Sequence, residues 1–233
     1  MKIISSWLDK KVTNPKTNNL VKVKSLPLEE RKKYRPKSLK SRAQEGDEKV
    51  LNHPDLTKNN KNEDTPLHHL SRAGVVKILD HPEAGTLKGS QQRTPLHSFA
   101  QSSNLTLPKV KKLLQHPAVS TVKDKHGNTP LHLLANNPTY APQIVEHQSA
   151  TIKNNNDITP LHKAGRAGSD AILNHPEAFT LKDMRGETPA HKLARSINDL
   201  AEPQKGYTKR KLLNHPKAHV VKNIEGKTPA DLI

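Results

Sequence analysis

One short motif recurs through the chain at nearly constant intervals. It reads Thr-Pro-Leu-His in four copies, then Thr-Pro-Ala-His and Thr-Pro-Ala-Asp, and its threonines are Thr65, Thr94, Thr129, Thr159, Thr188 and Thr228. The intervals between successive threonines are 29, 35, 30, 29 and 40 residues. A fixed period of this length is the signature of similar units that stack on one another. The sequence therefore predicts a repeat architecture in which each unit is stabilised by its neighbours.

A second marker follows the same period. A histidine, followed by proline in five of six copies, lies 12 or 13 residues before each of these threonines. The length from a threonine to the next such histidine varies instead from 16 to 27 residues. Insertions are thus confined to one part of the unit, and three inserted loops are expected at residues 101–108, 136–142 and 196–207.

The physical chemistry of one unit can be followed through residues 124–135. Residues 124–128 form a turn in which Gly127 supplies a positive φ that other residues resist. Thr129 caps a helix, and Pro130 takes the first helical position, where its missing N–H costs nothing. The apolar residues that follow are spaced for one narrow helical face.

A second helix is expected just before each His-Pro, for example at residues 75–79 and 171–173. The proline ends it, because proline removes a donor and disfavours helix in the preceding residue. Helices this short barely form alone in water, so packing against other helices must stabilise them. The predicted fold class is all-α.

The period and the Thr-Pro-Leu-His motif before a helix pair resemble the ankyrin repeat. The resemblance covers about residues 35–233 and implies an ankyrin-repeat solenoid of stacked helix-turn-helix units joined by β-turn fingers, following a basic N-terminal extension at residues 1–34. The units are predicted at about residues 35–64, 65–93, 94–128, 129–158, 159–187 and 188–227, with a partial unit at 228–233.

The chain departs from the family pattern in its turns. Three fingers carry the expected turn glycine, as Gly127, Gly186 and Gly226. The other three have Glu63, Gln92 and Asp157 at that place, and we expect them to be less regular. The His-Pro variant resembles repeats of some bacterial and protist ankyrin proteins, so a microbial protein delivered into a host cell is one possible setting beside a cytoplasmic or nuclear location.

Charge is the strongest compositional signal. Lysine and arginine number 39 against 22 aspartates and glutamates, a formal charge of +17. Residues 1–42 hold thirteen of the basic residues and only three acidic ones. Such a balance favours an anionic partner, which can be an acidic protein, nucleic acid or anionic lipid. The absence of cysteine excludes disulfides, thiolate metal sites and a cysteine nucleophile.

The fourteen histidines are expected to be structural. By resemblance to ankyrin repeats, five serve hydrogen bonds within and between turns. Equivalent histidines of adjacent units should lie about 10 Å apart, whereas zinc ligands must each approach within about 2.1 Å. No phosphate-binding loop, nucleophile elbow or zinc-binding helix motif is present. We therefore expect a monomeric, non-catalytic protein without metal or cofactor.

Binding to another protein, one with an acidic surface, is the first functional hypothesis. Contact residues in the resembling family are the variable turn positions and the exposed end of helix one, so binding is expected through the turn tips and the concave face. Here the turn positions are Lys61, Asn62, Ser90, Gln91, Arg93, Lys125, His126, Asn128, Asn155, Asn156, Ile158, Met184, Arg185, Glu187, Ile224 and Glu225. Met184 and Ile224 stand out because they are apolar at tips that should be wet, and Ile158 extends the row. Tyr140 and Tyr207 belong to the inserted loops and can either bind or pack.

The alternative hypothesis assigns function to the basic arm. Electrostatic binding of nucleic acid or anionic lipid would use Arg31, Lys32, Lys33, Arg35 and Lys37. The cluster is equally compatible with a solvated face. Polyanion binding should weaken steeply with salt and disappear with residues 1–42, whereas protein binding at the fingers should survive that deletion.

Overall fold

The computed structural model describes residues 10–13, 20–22, 26, 37–58 and 63–233. These residues are mostly helical, as predicted. The chain divides into two compact units, residues 1–42 and 43–233. The predicted boundary between residues 34 and 35 stays a prediction, because residues 27–36 lie outside the described part.

In the first unit, two short strands form an antiparallel pair. Strand β1 (Lys11–Thr13) lies against β2 (Leu20–Lys22), with Val12 opposite Val21.

Nine α-helices lie in the described residues. They are α1 (Leu39–Gln44), α2 (Pro66–Arg72), α3 (Pro95–Ala100), α4 (Leu107–Leu114), α5 (Pro130–Leu134), α6 (Ala141–Val145), α7 (Pro160–Arg166), α8 (Pro189–Ser196) and α9 (Gln204–Leu213). Short 3-10 helices lie at Glu48–Asn52, Val76–Asp80, Ser90–Gln92, Pro117–Val119, Asp170–Asn174, Ile197–Asp199, Pro216–His219 and Ala230–Leu232. Among the described residues, no helix combines the length and apolarity needed to cross a membrane.

Five helices begin at a Thr-Pro pair, namely α2, α3, α5, α7 and α8. In each, the threonine is the N-cap and the proline takes the first turn, while the histidine three residues later closes a reciprocal capping box. These are the starts predicted from sequence.

The same five helices form the inner layer of residues 43–233. They contact one another in chain order, α2 with α3, α3 with α5, α5 with α7 and α7 with α8. The residue after each proline is fully buried, as Leu67, Leu96, Leu131, Leu161 and Ala190. No helix here exceeds ten residues, so this mutual burial must supply the stability that the helices lack alone.

The expected second helix differs between units. Where no residues are inserted, it is a single 3-10 turn, as at Val76–Asp80 and Asp170–Asn174. Where residues are inserted, it is an α-helix, α4, α6 or α9. The inserted stretches were predicted as loops only, and that was wrong in part, because each one runs into the helix and lengthens it. Without inserted residues the segment before the His-Pro is short, and it forms the tighter 3-10 turn that is typical of such short pieces.

The two tyrosines of the inserted stretches have different environments. Tyr140 is buried, and its hydroxyl donates to the carbonyl of Leu105 at 2.8 Å. Tyr207 lies on α9 and is exposed. Packing therefore accounts for Tyr140.

The fingers are five-residue turns at residues 89–93, 124–128, 154–158, 183–187 and 223–227. In every one the first residue N–H donates to the carbonyl of the fifth at 2.8–3.0 Å, and the fourth residue has positive φ. Gln92 and Asp157 reach this conformation at φ 57° and 58° without being glycine. The irregularity expected at the finger of Asp157 is therefore wrong for the backbone. The finger of Gln92 does differ from the others, because Gln91 has a positive φ of 57° as well. The finger of Glu63 lies partly outside the described residues.

Glycine at position 92 should stabilise the protein. Gln92 occupies the left-handed region, where a Cβ is strained by about 1 kcal/mol. We expect Gln92→Gly to raise the free energy of unfolding by about 0.5–1 kcal/mol in urea denaturation. Gln92→Ala removes the same amide but keeps the Cβ, so it should give no such gain. Equal effects of both variants would contradict this reason.

Candidate functional site

A repeated histidine bridge joins each finger to the unit before it. The Nδ1 atom of the motif histidine accepts the backbone N–H of its own threonine at 3.1–3.2 Å. Its Nε2 atom therefore carries the proton and donates it to a carbonyl at 3.0–3.1 Å. The pairs are His68 with Arg93, His97 with Asn128, His132 with Ile158, His162 with Glu187 and His191 with Lys227.

Burial keeps these imidazoles neutral. It lowers the pKa of His97, His132 and His162 to about 4, although each accepting carbonyl opposes the shift. Burial also lowers the pKa of His68 and His191. Because both ring nitrogens are already hydrogen-bonded, these histidines have no free lone pair for a metal. No group of metal-ligating side chains was found among the described residues.

The six histidines of the second marker also have a local role. In all six copies Nδ1 accepts the backbone N–H two residues later at 3.1–3.3 Å, so each one caps a turn.

Adjacent fingers are joined through their backbones. Lys125 N–H donates to Gln91 carbonyl, Asn155 to His126, Met184 to Asn156 and Ile224 to Arg185, at 3.0–3.4 Å. Four fingers also share one device that sequence reasoning missed, an Asp or Asn at their first position. Its side-chain oxygen accepts the N–H groups two and four residues later, as at Asp124, Asn154, Asp183 and Asn223.

Two large apolar side chains lie exposed at adjacent fingertips. Met184 is 65% exposed and Ile224 is 73% exposed. Ile224 lies over Gly186, where an added Cβ would meet its Cγ2 at 3.1 Å. These tips are the apolar pair that the sequence singled out.

Beside these tips is a cleft of about 520 Å³ between the last fingers and helices α7 and α8. Its lining is charged and contains no aromatic ring apart from His162. The lining residues are Ile158, His162, Lys163, Arg166, Arg185, Glu187, Lys192, Arg195, Ser196, Asp199 and Glu225.

One wall of the cleft is an internally neutralised charge network. Lys192 Nζ lies 2.7 Å from Asp183 Oδ2 and also contacts Glu187. Arg195 Nη2 lies 2.6 Å from Glu187 Oε1. Burial would raise the pKa of Glu187, but hydrogen bonds from Lys192 and Arg195 outweigh it and hold that pKa below its usual value. The same balance between burial and Lys192 lowers the pKa of Asp183.

The predicted contact residues have several locations. Ile158, Arg185, Glu187 and Glu225 are brought together in the cleft. Exposed tips elsewhere carry Ser90, Gln91, Lys125, His126, Asn155 and Asn156, while Arg93 and Asn128 are partly buried. Lys61, Asn62, Arg31, Lys32, Lys33 and Arg35 lie outside the described residues, and Lys37 is exposed.

Glu187 corrects the expectation of an exposed tip contact. It is only 4% exposed, because Lys192 and Arg195 hold its carboxylate. Sequence reasoning also missed Lys163, Arg166, Lys192 and Arg195, because residues were named in the turns alone and none on the first helix of a unit. Alignment of the units on their threonines would have found them, because they occupy the fourth and seventh positions after Thr159 and Thr188.

No protein-family model matches the chain, and no curated protein is significantly similar to it.

Proposed function

We propose that residues 35–233 form an ankyrin-type solenoid that acts as a non-catalytic scaffold and binds an acidic protein. The binding surface consists of the fingertips and the inner helices α7 and α8. Support for the architecture comes from the five histidine bridges and from the inner helices, which contact one another in chain order. Support for the binding role comes from the surface that these repeats leave open.

One observation carries the proposal. Met184 and Ile224 are exposed side by side at the fingertips, beside a cleft lined by five cationic and three acidic side chains. Exposed apolar residues next to a charged rim are typical of protein-binding surfaces. Burial of both side chains by a partner would contribute about 3–5 kcal/mol.

The test measures the affinity of a partner protein for two variants of the chain. Met184→Ser with Ile224→Ser removes the apolar tips, whereas Val220→Ser removes an apolar side chain that is 71% exposed outside the fingers. A partner is first identified with the unchanged chain and then purified. We expect its affinity to fall at least about 30-fold with the tip variant and less than about 2-fold with Val220→Ser. Equal affinity for both variants would refute the proposed surface.

Electrostatic binding of nucleic acid or anionic lipid remains a second proposal. It rests on the net charge of residues 1–42, thirteen basic residues against three acidic ones. Phosphate binding through this arm predicts a steep loss of affinity with salt and complete loss on deletion of residues 1–42.

A further inference from the structure

The two cations of helix α8 have exact positional counterparts on helix α7. Lys192 and Arg195 are the fourth and seventh residues after Thr188, and Lys163 and Arg166 hold the same positions after Thr159. The two helices contact each other and line the same cleft. The repeat therefore presents one pair of cations twice.

Only the pair on α8 has internal counterions. Asp183, five residues before Thr188, and Glu187, one residue before it, hold Lys192 and Arg195. The corresponding residues before Thr159 are Asn154 and Ile158, which carry no charge. The unit of α7 thus keeps both cations and lacks both carboxylates.

Contact between the residue before the threonine and the seventh residue after it recurs in other units. Arg72 Nη2 lies 3.3 Å from Asp64 Oδ2, and Arg93 Nη1 donates to Gln101 Oε1 at 3.1 Å. In each case the two side chains are polar partners. In the unit of α7 the residue before the threonine is Ile158, whose side chain cannot form a hydrogen bond. The guanidinium of Arg166 therefore lacks the partner that the equivalent residue has in these units.

The cations on and beside α7 differ from those on α8 in having no acidic partner among the described residues. Across residues 37–58 and 63–233, the structure contains no ion pair for Lys163, Arg166 or Arg185. Burial lowers the pKa of Lys163, nearby Arg166 and Lys192 lower it further, and Asp124 opposes them. A half-buried ammonium next to other cations is stabilised by an external anion.

We propose that Lys163, Arg166 and Arg185 bind neighbouring Asp or Glu side chains of an extended peptide segment in the partner protein. These carboxylates supply to α7 the negative charge that Asp183 and Glu187 supply to α8 in the next unit. The proposal rests on the protein-binding function above and names the chemistry that the partner must present. Two guanidinium groups suit carboxylates because each can donate two parallel hydrogen bonds.

A peptide fits the surroundings better than nucleic acid. Apart from His162, already bonded through both ring nitrogens, the cleft has no ring on which a base could stack. Ile158 lines it, and Met184 is adjacent in sequence to Arg185. Aliphatic side chains next to the acidic ones would therefore find apolar contacts. The cleft volume is also in the range of sites that enclose a few side chains.

The test uses the full chain and a fluorescein-labelled dodecapeptide containing Leu-Glu-Asp-Leu-Glu-Asp. Fluorescence anisotropy at about 0.15 M salt, where long-range attraction is screened, should give at least about 10-fold tighter binding than the Gln/Asn version of the peptide. Arg166→Gln should lower the affinity for the acidic peptide about 10-fold.

The sharpest variant adds a charge and removes none. Ile158→Glu supplies the carboxylate that Glu187 supplies in the next unit, so it should pair with Arg166 and lower the peptide affinity about 10-fold. Ile158→Gln removes the same apolar side chain without charge, and Val220→Glu adds the same charge elsewhere. Both controls should change the affinity less than about 3-fold. Circular dichroism melts verify that every variant is folded.

Each other outcome overturns the inference. Binding that is no tighter for the acidic peptide than for the amide peptide excludes the carboxylate site. If Val220→Glu and Ile158→Glu lower the affinity equally, the peptide binds through the overall charge of the protein and not through the cleft. If an oligo-dT of 12 nucleotides binds more tightly than the peptide and this binding depends on the cleft residues, the cleft is a nucleic-acid site. The proposed function is judged separately, by the effect of the Met184 and Ile224 variant on the purified partner.

Discussion

Lowering the pH from 7 to 5 will destabilise the folded protein by several kcal/mol. Burial holds the pKa of His97, His132 and His162 at about 4 in the folded state, whereas an unfolded histidine has a pKa of about 6.5. Between these values the unfolded state binds more protons, so stability falls as the pH falls below 6.5 and the loss levels off near 4. Each histidine contributes about 1.4 kcal/mol per pH unit within this window.

Urea denaturation followed by circular dichroism at pH 8, 7, 6 and 5 measures this effect. The midpoint should be nearly constant from pH 8 to 7 and fall increasingly below pH 6.5. His126→Gln is the matched substitution control, because His126 lies exposed on a finger and is not one of the five bridging histidines. His132→Gln should reduce the pH dependence while lowering stability at pH 8. A midpoint that does not change between pH 7 and 5 would show that the bridging histidines are not held neutral by the fold.

Gly165→Ala will destabilise the protein, although alanine favours a helix more than glycine does, because the substitution affects the close contact between α7 and α8. Gly165 lies on α7, and an added Cβ would be 2.4 Å from the carbonyl oxygen of Pro189 at the start of α8. Because that neighbour is backbone, the helices must move apart, and we expect a loss of about 2–3 kcal/mol in the free energy of unfolding. The gain in helix propensity, at most about 1 kcal/mol, does not offset it.

Gly206→Ala is the matched control within helix α9. Gly206 is exposed, and the nearest atom to its added Cβ is the flexible carboxylate of Glu202 at 3.2 Å. This substitution should stabilise the protein by about 0.5–1 kcal/mol. Opposite signs for the two substitutions in the same urea titration support the close α7–α8 contact. A neutral or stabilising Gly165→Ala would rule it out.

The helix starts were predictable because their signals are local. Thr129, Pro130 and His132 lie within four residues, and the capping box that they form needs no other part of the chain. The form of the second helix was less predictable, because the same His-Pro ending follows a 3-10 turn in one unit and an α-helix in another. The number of inserted residues decides between a 3-10 turn and an α-helix, and part of each insertion belongs to the helix.

In the candidate site, too, some features could be predicted from the sequence and others could not. Met184 and Ile224 could be identified from sequence, since both hold the second position of a finger, which is its exposed tip. The expectation that Ile158 extends this row was wrong, because the fifth position of a finger is half-buried in the cleft. The character of Glu187 could not, because its burial depends on Lys192 and Arg195 folding back over it from α8.

By itself, the sequence determined the repeat period, the helix caps and the turns that carry glycine. The caps and turns depend on residues within a few positions of one another, where backbone geometry leaves few alternatives. The carbonyls that the motif histidines bind lie 25–36 residues further along the chain, and only the fold brings them close. Only the tertiary structure decided which cations are neutralised and which remain open. Lys163 and Lys192 occupy equivalent sequence positions, but the energy of each charge depends on the side chains and burial that surround it in space.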